Sequence, residues 1–173
     1  MENEGHSHQN ENIDVYFDGK NIPFATAYFD NVISSEVLEH VLYPNEWLAE
    51  ISRVIKPGGN FLLTTPFMFH EHEVPNDFGR YSYFGLKYIL KTHGFTITEH
   101  RKAAPGAACI AIQWNVFWWK KLERLLGNKS VSLILAWPFI LLGNMFGLFS
   151  YLENASTQTF YAGNLVCCKK DEV

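Results

Sequence analysis

Two carboxylates and an imidazole stand at Glu36-x-x-Glu39-His40, inside the run FDNVISSEVLEHV. If a helix starts near Glu36, positions i, i+3 and i+4 share one face and the three side chains converge. Such a set suits a hard or borderline divalent ion, or a general base oriented by a carboxylate. A fourth ligand is expected from His72, or from His70, in the loop that follows the next strand, because loops after successive strands open on one rim of an α/β sheet. The simpler reading is that Glu39 and His40 cap and pack a helix start, and that His70, Glu71 and His72 lie in a solvated loop. In the same loop Asp77, Arg80 and Tyr81 offer either a site for a polar or anionic acceptor, with Arg80 as a bidentate fork, or a local Asp77 to Arg80 pair. His93, before Gly94, reads as a helix-end residue, and His6 and His8 as exposed tail.

The elements that must position these groups follow from periodicity. Residues 1–12 read as a disordered tail or loop, and Ile13 to Phe17 as a short strand ended by the turn Asp18-Gly19. Asn31 to Ser35 has the Val-Ile centre of a strand buried on both faces. Trp47, Leu48, Ile51, Val54 and Ile55 form one helical stripe, with Asn45 as N-cap and Pro57-Gly58-Gly59 as the stop. Phe61 to Thr65 reads as a second buried strand, and Tyr83 to His93 as a helix closed by Gly94. Phe95 to Arg101 suits an edge strand, and Thr159 to Cys168 a last strand. Strand, helix, strand, helix, strand argues for βαβ units and a mainly parallel sheet.

In that order the segments carry a resemblance. DGxxIPF, FDxVxSxEVLEHV, LxEIxRVxKPGGxxLxTxPF and GLxxxLxxHGF are together similar to the second half of class I S-adenosylmethionine-dependent methyltransferases, of the type 11 kind that includes the ubiquinone-biosynthesis O-methyltransferases. The resemblance covers roughly residues 13–101 and the last strand. It implies an α/β fold, a Rossmann-like methyltransferase sheet incomplete at its N-terminus, with S-adenosylmethionine as cofactor. Asp18, with Gly19 beside it, would lie near the adenine, and Ser34, Ser35 and Glu36 would border the methionine part. The catalytic pair would be His40 and Glu39, and the ExxEH string resembles the metal set of small-RNA 2′-O-methyltransferases, giving Glu36, Glu39, His40 and His72 as ligands of a divalent metal ion. The glycine-rich loop and the ribose-binding carboxylate have no counterpart. Hence the expectation is a truncated or degenerate relative that transfers a methyl group from S-adenosylmethionine to an oxygen of a small or lipid-linked acceptor, the alternative being a non-catalytic, membrane-associated or dimerising remnant of the fold.

The 173 residues can bury one sizeable core, and 47% hydrophobic content excludes a disordered chain. A net charge of −4 gives no attraction to phosphate backbones, so nucleic acid is not favoured as a partner. The three cysteines, Cys109, Cys167 and Cys168, make no CxxC pair, which fits a reducing cytoplasm. Within a partial methyltransferase domain spanning 13–173, an apolar helical insertion occupies 103–155. Residues 103–119 and 130–152 contain no Asp, Glu, Lys or Arg, and KKLERLLGNK lies between them. The second run is long enough to span a bilayer by the ~20-residue criterion. If the last strand returns to the sheet, however, only an even number of crossings, or none, is allowed. Helices lying on the interface or dipping into one leaflet are expected, with Trp114, Trp118, Trp119, Lys120, Lys121 and Arg124 as the aromatic and basic fringe. The alternative is a soluble lid or a homodimer interface. The partners expected are thus a small-molecule or lipid-linked acceptor and a peripheral membrane contact, at the inner face of the membrane.

Overall fold

The computed structural model describes residues 14–17, 20–152, 154 and 159–172. Strand β1 (Phe29–Ser35) leads through a 3-10 turn (Leu38–His40) to helix α1 (Pro44–Val54) and strand β2 (Ile55–Pro66). Helix α2 (Tyr83–Thr92) and strand β3 (Phe95–Pro105) follow, then helices α3 (Ala107–Leu126) and α4 (Lys129–Gly147), a 3-10 segment (Leu148–Leu152) and strand β4 (Tyr161–Lys170).

The sheet order is β1-β2-β4-β3, so the last strand enters between the second and third. β1 and β2 are parallel, with Asn31 opposite Asn60 and Ser35 opposite Thr64. β4 runs the other way. The Asp171 amide donates to the Gly94 carbonyl, Thr98 donates to the Cys167 carbonyl, and His100 meets Asn164 at 2.9 Å, pairing β3 with β4 antiparallel. At the other end of β4 the Met68 amide donates to the Ala162 carbonyl, just beyond the last residue of β2. β1, β2 and β3 therefore share a direction and β4 opposes them, the mixed sheet of many α/β folds rather than an all-parallel one.

The described residues divide into two units. The first comprises residues up to Phe67, Glu71–Arg101 and Asn164 onward. Its core joins Trp47, Leu48 and Ile51 of α1 to Phe61 and Leu63 of β2, Leu86 and Leu90 of α2, and Val166 and Cys168 of β4. α1 starts on Pro44, with Tyr43 rather than Asn45 as its N-cap. That is the position at which a missing N–H costs nothing. Its last residue is Val54, and Pro57-Gly58-Gly59 lies inside β2, where the pairing with β1 shifts register between Phe29 and Asn31. Glu50 and Arg53 pair at 2.7 Å, and Arg53 donates to the carbonyls of Ile22 and Phe24, fastening residues 22–24 to the helix. α2 is capped by Ser82 and closed by Gly94 at φ +75°, as its sequence requires.

Two expectations about strands change. Residues 14–17 form no strand; Ile13, Asp18 and Gly19 lie outside the described residues. β1 is not buried on both faces: among the described residues it is a sheet edge, and Ile33 is 71% exposed. A Val-Ile run cannot by itself tell a central strand from an edge one.

The second unit comprises Met68–His70 and Lys102–Gly163. α3 and α4 form an antiparallel hairpin: Trp118 stacks on Phe139 at 4.1 Å, the Trp114 indole donates to the Phe139 carbonyl, and Asn115 bonds Asn144. Gly143 and Gly147 permit the close approach, since a Cβ on Gly147 would lie 3.0 Å from that of Ala111. At the base of the hairpin the Gly106 amide donates to the Phe160 carbonyl, so the chain leaves and returns at one place.

Candidate functional site

The chemistry-bearing residues meet in the first unit, where β1 ends. Thr64 of β2 fixes that end: its hydroxyl lies 3.0 Å from Ser35 Oγ, and its carbonyl and hydroxyl both take the Glu36 amide. Glu36 turns the corner at φ +52°, an uncommon conformation for a residue with a Cβ. The 3-10 turn Leu38–His40 follows it directly. Consequently the expected helical face of Glu36, Glu39 and His40 does not form. Glu36 stays exposed at the corner and leaves the metal set, because the strand end and not a helix dictates its direction.

Glu39, His40 and His72 do converge, with one ligand atom from each all within 4.8 Å of one another. Glu39 is fully buried. Its backbone carbonyl takes the amides of Phe78 and Gly79, which holds the loop after β2 over the turn. Its Oε2 receives the Thr65 hydroxyl at 3.5 Å, whereas Oε1 has no hydrogen-bond donor. Burial pushes this carboxyl above its ordinary pKa, and the charge of Glu36 adds to the rise.

The two imidazoles are held from behind. His40 Nδ1 lies 2.7 Å from the carbonyl of Asn76, which can only accept, so Nδ1 carries the proton and Nε2 presents a lone pair. Nε2 is 3.9 Å from Glu39 Oε1 and 3.8 Å from Glu73 Oε2. His72 departs from that pattern: its Nδ1 lies 3.4 Å from Asp77 Oδ2 but also 3.4 Å from Arg80 Nη2, which can only donate, and its Nε2 is 4.0 Å from Glu39 Oε1. The rings meet edge to face at 4.8 Å. The outer acceptor on His40 Nδ1, with the Nε2 atoms of both rings near one carboxylate oxygen, is the outer support that metal-binding histidines receive. Two imidazoles and a carboxylate favour borderline ions such as Zn²⁺ over Mg²⁺. The unsatisfied Glu39 Oε1 is the atom such an ion would satisfy.

Asp77 and Arg80 resolve their alternatives in favour of the local pair. Arg80 grips both oxygens of Asp77 and donates to the Gly79 carbonyl. This grip, with the His72 amide, holds Asp77 well below the usual carboxylate range, at about 2. The fork expected for an acceptor is spent on Asp77, and the Asp77 side chain is only 5% exposed. Tyr81 is half-buried, its hydroxyl pushed upward in pKa by burial and then by Glu39. Ser34 is buried with its Oγ unpartnered. Asp18 and Gly19 lie outside the described residues. A cleft of about 410 Å³ opens beside His40, lined by Phe17, Lys20, Val37, Leu42, Tyr43 and Trp47 among others.

Thr65, Glu73 and Asn76 escaped sequence reasoning. Asn76 acts through its backbone, which no side-chain pattern reveals; Glu73 was legible only as one more charge in HEHEVPND.

Residues 3–63 match the family model of a methyltransferase domain. The chain carries the class I methyltransferase fold. Three solved structures share that fold at low identity: the [4+2]-cyclase SpnF (18% identity, 91% of this chain and 55% of that one, TM-score 0.53); a Galdieria sulphuraria protein assigned as a sarcosine dimethylglycine methyltransferase (13%, 91% and 59%, 0.51); and the protein assigned as a methyltransferase in the complex with the Haloferax volcanii Trm112 activator (18%, 91% and 60%, 0.55). This chain spans less than two thirds of the length of each. No curated protein sequence matches it. One of these methyltransferase-fold neighbours is described as a cyclase, so the fold alone does not name the reaction.

Proposed function

We propose that this chain is a methyltransferase that moves a methyl group from S-adenosylmethionine to an oxygen nucleophile on a small or lipid-linked acceptor. The observation that carries the reading is the family match through residue 63, which takes in β1 and the Ser34–Glu36 corner. Those residues border the methionine part of the cofactor, with the unpartnered Ser34 hydroxyl beneath them. The transfer is an in-line displacement: the acceptor oxygen bonds to the methyl carbon, the sulfonium leaves as S-adenosylhomocysteine, and the acceptor proton goes to a base. His40 Nε2, at the cleft with its lone pair fixed by Asn76, is that base. Where Glu39, His40 and His72 hold a divalent ion instead, His40 is a ligand, and the ion's chemistry is to acidify the acceptor hydroxyl. The apolar hairpin supports an acceptor with an apolar portion and a place at the cytoplasmic face of a membrane.

The chain's own surface for the cofactor is the end of β1, without a glycine-rich loop. Charge-assisted hydrogen bonds are worth about 1.5–3 kcal/mol each, and a micromolar site corresponds to about −8 kcal/mol, so losing several leaves millimolar affinity. The expected result is no calorimetric signal at micromolar S-adenosylmethionine, with photo-crosslinking of labelled cofactor to Ser34–Glu36 at millimolar concentration. Labelling elsewhere, or none, defeats the reading and leaves a non-catalytic remnant of the fold.

A further inference from the structure

α3 carries two different surfaces along its length. One faces α4 through Ala111, Asn115 and Trp118. The other forms a groove of about 650 Å³ with His70, in which Gln113, Val116 and Phe117 give way to Lys120, Lys121 and Arg124. The Gln113 amide donates to the Met68 carbonyl at one end, and no carboxylate lines the groove.

Among the described residues none of the three cations forms an ion pair. Lys121 instead lies over the rings of Phe117 and Trp118, 5.5 and 5.1 Å from their centroids. An apolar trough ending in three unneutralised cations matches an amphiphile with an anionic head. The neighbouring helix points to where that amphiphile resides. Lys129–Leu152 is long and apolar enough to cross a membrane, yet only 17% of its apolar window is buried, with Ile134, Trp137 and Leu142 more than half exposed. A soluble core helix would hide these side chains; a soluble phosphoester site would not need them.

We propose that the α3–α4 hairpin docks on an anionic bilayer, with the phosphate of a membrane lipid seated between Lys120, Lys121 and Arg124 and its acyl chains along Phe117 and Val116. The claim deepens the lipid-linked acceptor proposed above, and its test needs no methyl transfer. The full chain is floated with phosphatidylcholine vesicles, with and without phosphatidylglycerol, at low and at high salt. The expected result is partition that needs phosphatidylglycerol and weakens with salt. Substituting Lys120→Gln, Lys121→Gln and Arg124→Gln together should reduce that partition about a hundredfold, near fivefold per cation. Lys87→Gln with Lys91→Gln on α2 should leave it unchanged. Should the triple variant lose its far-UV dichroism, the single variants Lys120→Gln and Arg124→Gln carry the same test. Equal binding of wild type and variant to neutral vesicles, or no flotation, overturns the proposal. So does full competition by millimolar inorganic phosphate, which would make the groove a site for a soluble phosphate.

Discussion

Glu39 and Asp77 are two buried carboxyls within one loop system, and their environments push them in opposite directions. Desolvation raises the Glu39 pKa, so the folded protein binds that proton more tightly than the unfolded chain does. Its contribution to stability is therefore greatest below the ordinary glutamate range and is lost as pH rises through the raised value. A divalent ion at Oε1 would reverse that loss. Zn²⁺ at a hundredfold excess over its Kd is expected to stabilise the wild type by about 2.7 kcal/mol, read as a rise in Tm. Glu39→Gln and His40→Ala should abolish the rise, and any methyl transfer should stop in excess chelator. Unchanged melting with Zn²⁺, or full activity in chelator, removes the metal. Asp77 behaves oppositely because Arg80 holds its anion. The folded value of about 2 against an ordinary 3.8 gives on the order of 2 kcal/mol that is fully present above the unfolded value and lost as pH falls through the folded one. Urea midpoints should fall between pH 5 and pH 2 in the wild type, and Asp77→Asn should be weaker at pH 5 and nearly flat.

At the scale of elements, β2 is tied to β1 through Gly59. A Cβ there would stand 2.7 Å from the Asp30 carbonyl oxygen and 2.9 Å from that of Lys56, backbone atoms that cannot swing aside. Gly59→Ala should cost about 1–3 kcal/mol in urea unfolding, whereas Ser82→Ala, which removes only the α2 cap, should cost about 1 kcal/mol. A Gly59→Ala protein as stable as wild type would mean that this strand pairing is not tight. These elements also show what was legible beforehand. α1 and α2 follow from their apolar stripes and the end of α2 from Gly94, whereas α1 takes neither the Asn45 cap nor the Pro57-Gly58-Gly59 stop; β3 as an edge strand follows from its weak alternation. The reversed direction of β4 is a non-local pairing that no window of sequence contains, and Ile33 looked central because composition does not report neighbours. The Glu39–His40 part of the cluster was legible as spacing. Glu36 was misplaced because the spacing argument assumed a helix where Thr64 holds the chain at a left-handed corner. His72 lies beside Glu39 and His40 because β1 and β2 are parallel, so the loops that follow them open on one rim of the sheet.

For the whole molecule the decisive feature is that the core cluster lies entirely within the first unit. Phe61, Phe95 and Trp47 pack with one another there, and no residue of α3 or α4 belongs to that cluster. The hairpin leaves after Gly106 and returns before Phe160, whose backbone groups already bond to each other. A short glycine-serine loop in place of residues 107–159 thus has only a narrow gap to close, and closing a short loop costs little entropy. The shortened protein is expected to unfold cooperatively, to keep its Zn²⁺-dependent rise in Tm, to run as a monodisperse species without detergent, and to lose vesicle binding. Retained vesicle binding would place the membrane-seeking surface in the first unit, where the exposed Ile33 of β1 is the apolar alternative. Failure to unfold cooperatively would show that the hairpin helps to hold the sheet, and the apolar faces of α4 would then belong to the fold rather than to a bilayer.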